Sequence, residues 1–457
     1  RCGAERAATG DGAAATPPER KPAGTVLGTT ASIAKGMVGS GILSLASGVA
    51  AFTAAPQGLG VGLITLLIMT LIAGYTFHMV AKVSAETGGK DFGACWAASM
   101  GQDLAWMPRV AVVLISGITC VVYSMILGDS LSAILRGLLT HAGPVVGWKA
   151  ALLPWCTRAP ILAVLTTGVL LPMCLAESYA GLARFSMLGI MACVYMAGFC
   201  VLRALDGTYA AGGVFFAACP VPPATLVPAR QLADILNMKT LVLLSNLGMA
   251  FMNHGAAPGM YQELAVERMK GESDEAVKQR KMKIYDRVII GSFSFAGLVA
   301  AALMASGFWT FGANTNGFML FNYAETDLGA LLARICVMAS ILTGFPLNFV
   351  LLRFEVAAAL SGGAALGKPA VRALTVALLG GIMGLAITLT DLGKVQAAAG
   401  ATLGVSIVFL FPALMARAMR RRGKWGDPRP WRLREVLLVG VGSLVGVLGL
   451  KTILAAY

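Results

Sequence analysis

The sequence predicts an all-α integral membrane protein of eleven transmembrane helices, and three observations carry that expectation. Hydrophobic residues make up 57% of 457 and charged residues only 13%, with mean hydropathy +0.76. Soluble domains average about 25% charged residues. Apolar windows of about 20 residues, enough to cross a bilayer core of about 30 Å, recur along the chain. Lysine and arginine then collect in alternate loops between those windows. The formal charge of +14 is thereby explained by membrane orientation, and nucleic acid is not an expected partner.

The expected spans, in order, lie near 26–52, 58–81, 109–135, 160–176, 184–203, 239–264, 287–309, 328–352, 371–390, 394–416 and 435–455. The preceding segment, 1–25, is polar and rich in Ala, Pro and Gly. It is expected to be a disordered tail without a signal-peptide pattern, and 26–457 to be one integral membrane unit. With the tail placed in the cytoplasm, 26 of the 36 basic residues fall on the inner side, including the 265–287 loop and the 417–434 loop. The cluster Arg420–Lys424 reads first as an orientation signal and second as a contact for anionic lipid headgroups. The nine cysteines show no CxxC spacing, so neither a metal site nor a cofactor is expected. Cys156 and Cys219 fall in expected outer segments and form a candidate disulfide.

Two spans break the rules for a helix in lipid. The first contains Lys35, Gly36, Gly39, Ser40 and Gly41, although glycine weakens a helix by about 1 kcal/mol and an intramembrane lysine is costly. The sixth carries Asn253, His254, Gly255 and Pro258 halfway along. Each pattern taken alone also fits close helix packing on small residues. Their pairing in corresponding members of two five-helix halves is the sequence pointer to a transporter site. Free N–H groups around Gly39, Ser40 and Gly41, at the positive start of a half-helix, suit the carboxylate of an amino acid.

At KGMVGSGILSL (35–45), GDSL (128–131), LPMCLAESYAGLARFSMLGI (171–190), FMNHGAAPGMYQEL (251–264), GFWTFGANTNGFMLFNY (307–323) and Pro346–Leu347 with Arg353, the chain resembles the amino acid/auxin permease family. That family includes the sodium-coupled neutral and the proton-coupled amino acid transporters. The resemblance implies a LeuT-like 5+5 inverted repeat plus one extra helix, with substrate held between helices one, three, six and eight. It also implies an asparagine at the position of Lys35 in the sodium-coupled branch, with a helix-eight hydroxyl, here Ser340 or Thr343, completing the cation site. The proton-coupled branch carries lysine there, but its functional histidine three residues earlier corresponds to Ser32. A fixed ammonium donates to the same oxygens that would hold a monovalent cation. Lys35 is therefore expected to replace sodium, with snorkelling to the inner interface as the competing reading.

Asp129, an intramembrane carboxylate, and His254 are candidate proton carriers, each with a structural hydrogen bond as the alternative. Arg334 and Asp327 are expected to pair at the outer face. Neither break offers a strong partner for a charged substrate side chain, Lys35 aside, so small neutral amino acids are expected. Carbonyls near Phe251 and Asn253 are expected to take the substrate ammonium. Three histidines without an HExxH or HxxxD pattern argue against an enzyme, and no filter loop argues for a channel. The expected function is secondary transport of neutral amino acids by alternating access, proton-coupled or uncoupled, with H+ or Na+ as the candidate coupling ions. The alternatives are a sodium-coupled symporter and an amino acid-sensing transceptor. A monomer in the plasma membrane or a lysosomal or vacuolar membrane is expected.

Overall fold

The computed structural model describes residues 24–141, 146–175, 186–362, 366–423, 425 and 432–456. The expected disordered tail up to residue 23, the inner turn at Arg184, the 176–185 part of the 171–190 motif, and Lys424 lie outside the described residues. So does the side chain of Ser40.

Every regular element described is helical. In chain order these are α1 (Val26–Met37), α2 (Leu45–Ala50), α3 (Gly58–Thr87), α4 (Phe92–Met100), α5 (Trp106–His141), α6 (Trp148–Leu152), α7 (Arg158–Leu175) and α8 (Ser186–Leu205). There follow α9 (Thr240–Ala250), α10 (Ala257–Glu263), α11 (Asp274–Phe311), α12 (Leu328–Leu360), α13 (Lys368–Thr388), α14 (Leu392–Arg421) and α15 (Leu433–Ala456). Their starts follow the local chemistry of orphan N–H groups. Thr25, Asp91, Ser273, Asp327 and Asp391 each accept a first-turn N–H, opening α1, α4, α11, α12 and α14. Gly88, at φ +71°, closes α3 in the left-handed conformation that glycine adopts without cost.

Eight described helices (α3, α5, α7, α11, α12, α13, α14 and α15) are long and apolar enough to cross a bilayer. The pair α1 and α2, bent by 43°, makes a ninth. The fifth expected span corresponds to α8, a 20-residue apolar helix, and the sixth is split into α9 and α10, neither long enough to cross alone. A half-helix of 11 residues rises about 16 Å, half of a bilayer core.

The two broken spans run antiparallel. Gly24 N–H donates to Glu263 O at 3.0 Å and Gly24 O accepts from Ala265 N–H at 3.0 Å, tying the start of α1 to the end of α10. Further along, Asn253 Nδ2 donates to Ile33 O at 3.1 Å, and Asn246 Nδ2 donates to Ser44 O at 3.3 Å. The first half of one span therefore lies beside the second half of the other, and the two breaks meet. Around them, α12 packs on α5 and α8, while α11 packs on α1, α3 and α8.

Candidate functional site

The breaks are forced together by missing side chains. A Cβ at Gly41 would lie 2.9 Å from Ala250 Cα, and one at Gly36 would lie 2.6 Å from Asn253 Nδ2. α1 stops at Val38, whose N–H returns to Ala34 O, and Gly39 N–H closes a tight turn onto Met37 O at 2.9 Å. A 3-10 turn then starts at Ser40 and runs into α2. The first N–H groups of that start have no intrahelical acceptor, and the last carbonyls of α1 have no intrahelical donor. On the other strand of the crossing, Asn253 N–H donates to Phe251 O and Ala256 N–H to Asn253 O, both at 3.0 Å. Each of those carbonyls keeps one lone pair. The Phe251 ring itself is fully buried and stacks on Phe293, so only its backbone faces the break's chemistry.

Lys35 is half-buried in the last turn of α1 and turned toward α8. A Cβ at Gly189 would meet Lys35 Cε at 2.9 Å and Ser340 Oγ at 3.2 Å, so the lysine stem and the α12 hydroxyl converge on one point of α8. One turn on, Cys193 Sγ donates to Val38 O at 3.4 Å. Thr343 is also half-buried, and its hydroxyl donates to Ser340 O at 2.9 Å, within its own helix. Of the two helix-eight hydroxyls expected from the sequence, Ser340 is the one that adjoins Lys35.

Tyr123 is the residue that the sequence reading missed. It projects from α5 with its hydroxyl 3.9 Å from where a Gly39 Cβ would stand, and its ring 3.7 Å from the Cβ position at Gly344 of α12. It thus bridges the first break and α12. The signal available in the sequence was a lone tyrosine inside an aliphatic span, Val121–Val122–Tyr123–Ser124.

The two candidate proton carriers are placed apart. His254 is fully buried and faces α3, where Nε2 lies 2.9 Å from Thr76 Oγ1. The same hydroxyl also lies within hydrogen-bond distance of Ile72 O at 3.0 Å and Ala73 O at 3.2 Å, so the imidazole is held in a polar cluster on α3 while its Nδ1 is buried without a hydrogen-bond partner among the described residues. Asp129 lies beyond α2, toward the end of the bundle opposite Lys82. Arg158 of α7 grips it with both guanidinium donors, Nε to Oδ1 at 2.6 Å, and reaches Leu389 O at 2.7 Å. The pair lines a cavity of ≈ 600 Å³ together with Ser47, Asn316 and Asp391.

Two expectations are corrected. Cys156 and Cys219 are free thiols: each Sγ donates to a carbonyl of its own turn, Leu152 O and Phe215 O, at 3.5 and 3.3 Å. Asp327 pairs with Arg203, not Arg334, through two bonds of 2.8 Å and a third from Tyr209. Arg334 instead caps the carbonyls of Leu320 and Tyr323 at 2.9 and 2.7 Å, because it is buried two turns away from the helix end that Asp327 caps.

Residues 22–454 match the family described as "Transmembrane amino acid transporter protein". Amino acid transporter AVT6E of Arabidopsis thaliana is 24% identical over 443 residues, covering 93% of this chain and 82% of its own. A putative sodium-coupled neutral amino acid transporter 11 of Danio rerio is 23% identical over 381 residues, covering 82% and 75%. Among solved structures, a manganese transporter of Eremococcus coleocola superposes with a TM-score of 0.56 at 13% identity, covering 94% of this chain and 86% of its own. That likeness establishes the LeuT-like fold.

Proposed function

The chain belongs to the transmembrane amino acid transporter family, and on that premise we propose that it moves small neutral amino acids by alternating access. Transport of amino acids and residence in a membrane follow from the family. The neutral substrate, the coupling and the monomeric working unit are our reading.

The observation that carries it is the meeting of the two breaks. At one crossing the chain presents half-helix N–H groups at Ser40 and Gly41, and carbonyls with spare lone pairs at Phe251 and Asn253. A zwitterion needs both: donors aligned with a positive dipole end for its carboxylate, and acceptors for its ammonium. Tyr123 closes the crossing from α5, and no acidic side chain is recorded against it among the described residues. A neutral side chain is therefore the better occupant.

For coupling, we read Lys35 as occupying the place of sodium. Its stem lies beside Ser340 in the protein interior instead of running out to the interface, which favours replacement over snorkelling. Proton coupling or uncoupled exchange then remains, with Asp129, held by Arg158, and His254, hydrogen-bonded to Thr76, as the candidate proton carriers.

The test is uptake of labelled alanine into proteoliposomes with independently imposed pH and sodium gradients. Wild type is expected to ignore sodium. Lys35→Asn is expected to acquire sodium dependence; loss of uptake with no gain of sodium dependence, or sodium dependence of the wild type, overturns the replacement reading. Substrate binding without counterflow exchange identifies a sensor instead of a transporter.

A further inference from the structure

At the end of the bundle where most lysine and arginine collect, a pocket of ≈ 270 Å³ is lined by Tyr75, His78 and Lys82 of α3, Trp425, and Arg432 and Arg434 at the start of α15, with Arg420 and Glu435 beneath. Tyr75, His78 and Lys82 recur at helical spacing, so a single face of α3 forms one wall. The opposite wall is the beginning of α15, whose dipole adds positive potential.

The charges of this pocket are not internally balanced. Glu435 is fully buried and is engaged by Arg420 and by the Arg432 N–H at 3.3 Å. Asp286 is held by His78 at 2.6 Å; Glu86 is held by Lys278 at 2.6 Å and acts on Lys82, one turn away on α3, only through space. Among the described residues no carboxylate is recorded in contact with Lys82, Arg432 or Arg434. Two of these cations are held over aromatic faces, Lys82 Nζ 4.8 Å from the Trp425 ring and Arg434 5.4 Å from the Tyr75 ring. A ring face positions a cation without consuming its N–H donors. The buried Trp425 Nε1 is likewise a donor with no acceptor among the described residues.

We propose that this pocket binds a phosphate-bearing anion, either a phosphorylated lipid headgroup or a soluble phosphomonoester. Three cations with free donors, an unpartnered indole N–H and a helix start converge on a space with room for about nine waters' volume. That donor set matches phosphate oxygens, which accept several charge-assisted bonds at once. Its position at the helix ends, flanked by tyrosine and tryptophan, is where headgroups lie.

The experiment uses the purified full chain. Binding of inositol trisphosphate in solution is titrated alongside binding to phosphatidylcholine vesicles doped with a phosphatidylinositol phosphate or with phosphatidylserine. Removal of the three cations in Lys82→Gln/Arg432→Gln/Arg434→Gln is expected to weaken binding about 100-fold, at about fivefold per cation. The charge-preserving Arg432→Lys/Arg434→Lys is expected to stay within tenfold of wild type, which separates lost charge from lost folding. Lys270→Gln/Lys283→Gln, on exposed positions of the same end, is expected to bind as wild type does. Binding to phosphorylated vesicles alone identifies a lipid as the source, and equal binding of the soluble probe identifies a free phosphomonoester. Equal losses in the Lys270/Lys283 control, or no binding of any phosphorylated probe, overturn the proposal.

Discussion

Gly36→Ala should damage this protein through one side chain, and the structure says which. The added Cβ would stand 2.6 Å from Asn253 Nδ2 and 2.8 Å from Oδ1, so the asparagine must swing away and release Ile33 O. Losing that hydrogen bond costs about 0.5–1.5 kcal/mol, and overpacking adds about 1–3 kcal/mol. Against this, alanine is the better helix former by about 1 kcal/mol. The net is about 0.5–3.5 kcal/mol, or about twofold to 300-fold in the population that keeps the two breaks paired. In an Asn253→Ala background the obstacle is gone, so the same substitution should become neutral or stabilising. The assay is thermal denaturation of the four proteins of this cycle in detergent, with alanine uptake in proteoliposomes as the functional readout. A Gly36→Ala penalty of equal size in both backgrounds would refute the contact between the breaks.

Three further predictions rest on separate parts of the molecule. Thr76→Val should destabilise by about 1–3 kcal/mol, since the buried His254 Nε2 loses its hydroxyl partner, whereas Thr76→Ser should stay near wild type; equal melting temperatures for the two would sink the hydrogen bond between α3 and the second break. Arg280, hydrogen-bonded to the Glu272 carboxylate at 2.8 and 3.0 Å, together with the Met269 N–H, holds that carboxyl below its ordinary value of 4.5. A depressed folded value gives stability that is present above pH 4.5 and lost as pH falls through the folded value. The wild-type advantage over Glu272→Gln in thermal denaturation should thus be constant from pH 7 to 5 and shrink below 4.5; a flat difference down to pH 3 contradicts it. Alkylation in denaturant without reductant, read by peptide mass, should modify both Cys156 and Cys219, and a mass for the bridged peptide pair would restore the disulfide.

Much of the fold was legible along the chain because a bilayer imposes a one-dimensional rule. Each span must be apolar for its full length and satisfy its own backbone, so composition windows locate helices without knowledge of neighbours. The same rule made the interruptions at Gly36–Gly41 and Asn253–Pro258 conspicuous, since glycine, proline and polar side chains are costly there. Hydropathy marked those interrupted segments as single windows, 26–52 and 239–264, and only the structure divided the second into α9 and α10, each too short to cross alone.

What the sequence by itself determined, then, was the class of protein, the places where its helices break and the family it resembles, because these depend on local composition and spacing. Pairing needed the tertiary structure. The sequence contained Asp327 and Arg334 seven residues apart, but packing assigned Arg203 to the first and carbonyls to the second. It contained Cys156 and Cys219 in expected outer segments, but each thiol settles on its own turn. Only the antiparallel crossing of α1–α2 with α9–α10 brought Gly36 to Asn253, and only the packing of α12 and α5 around it brought Lys35 to Ser340 and Tyr123 to Gly39. Those residues are far apart in sequence, and their proximity is set by how helices pack, which no local pattern encodes.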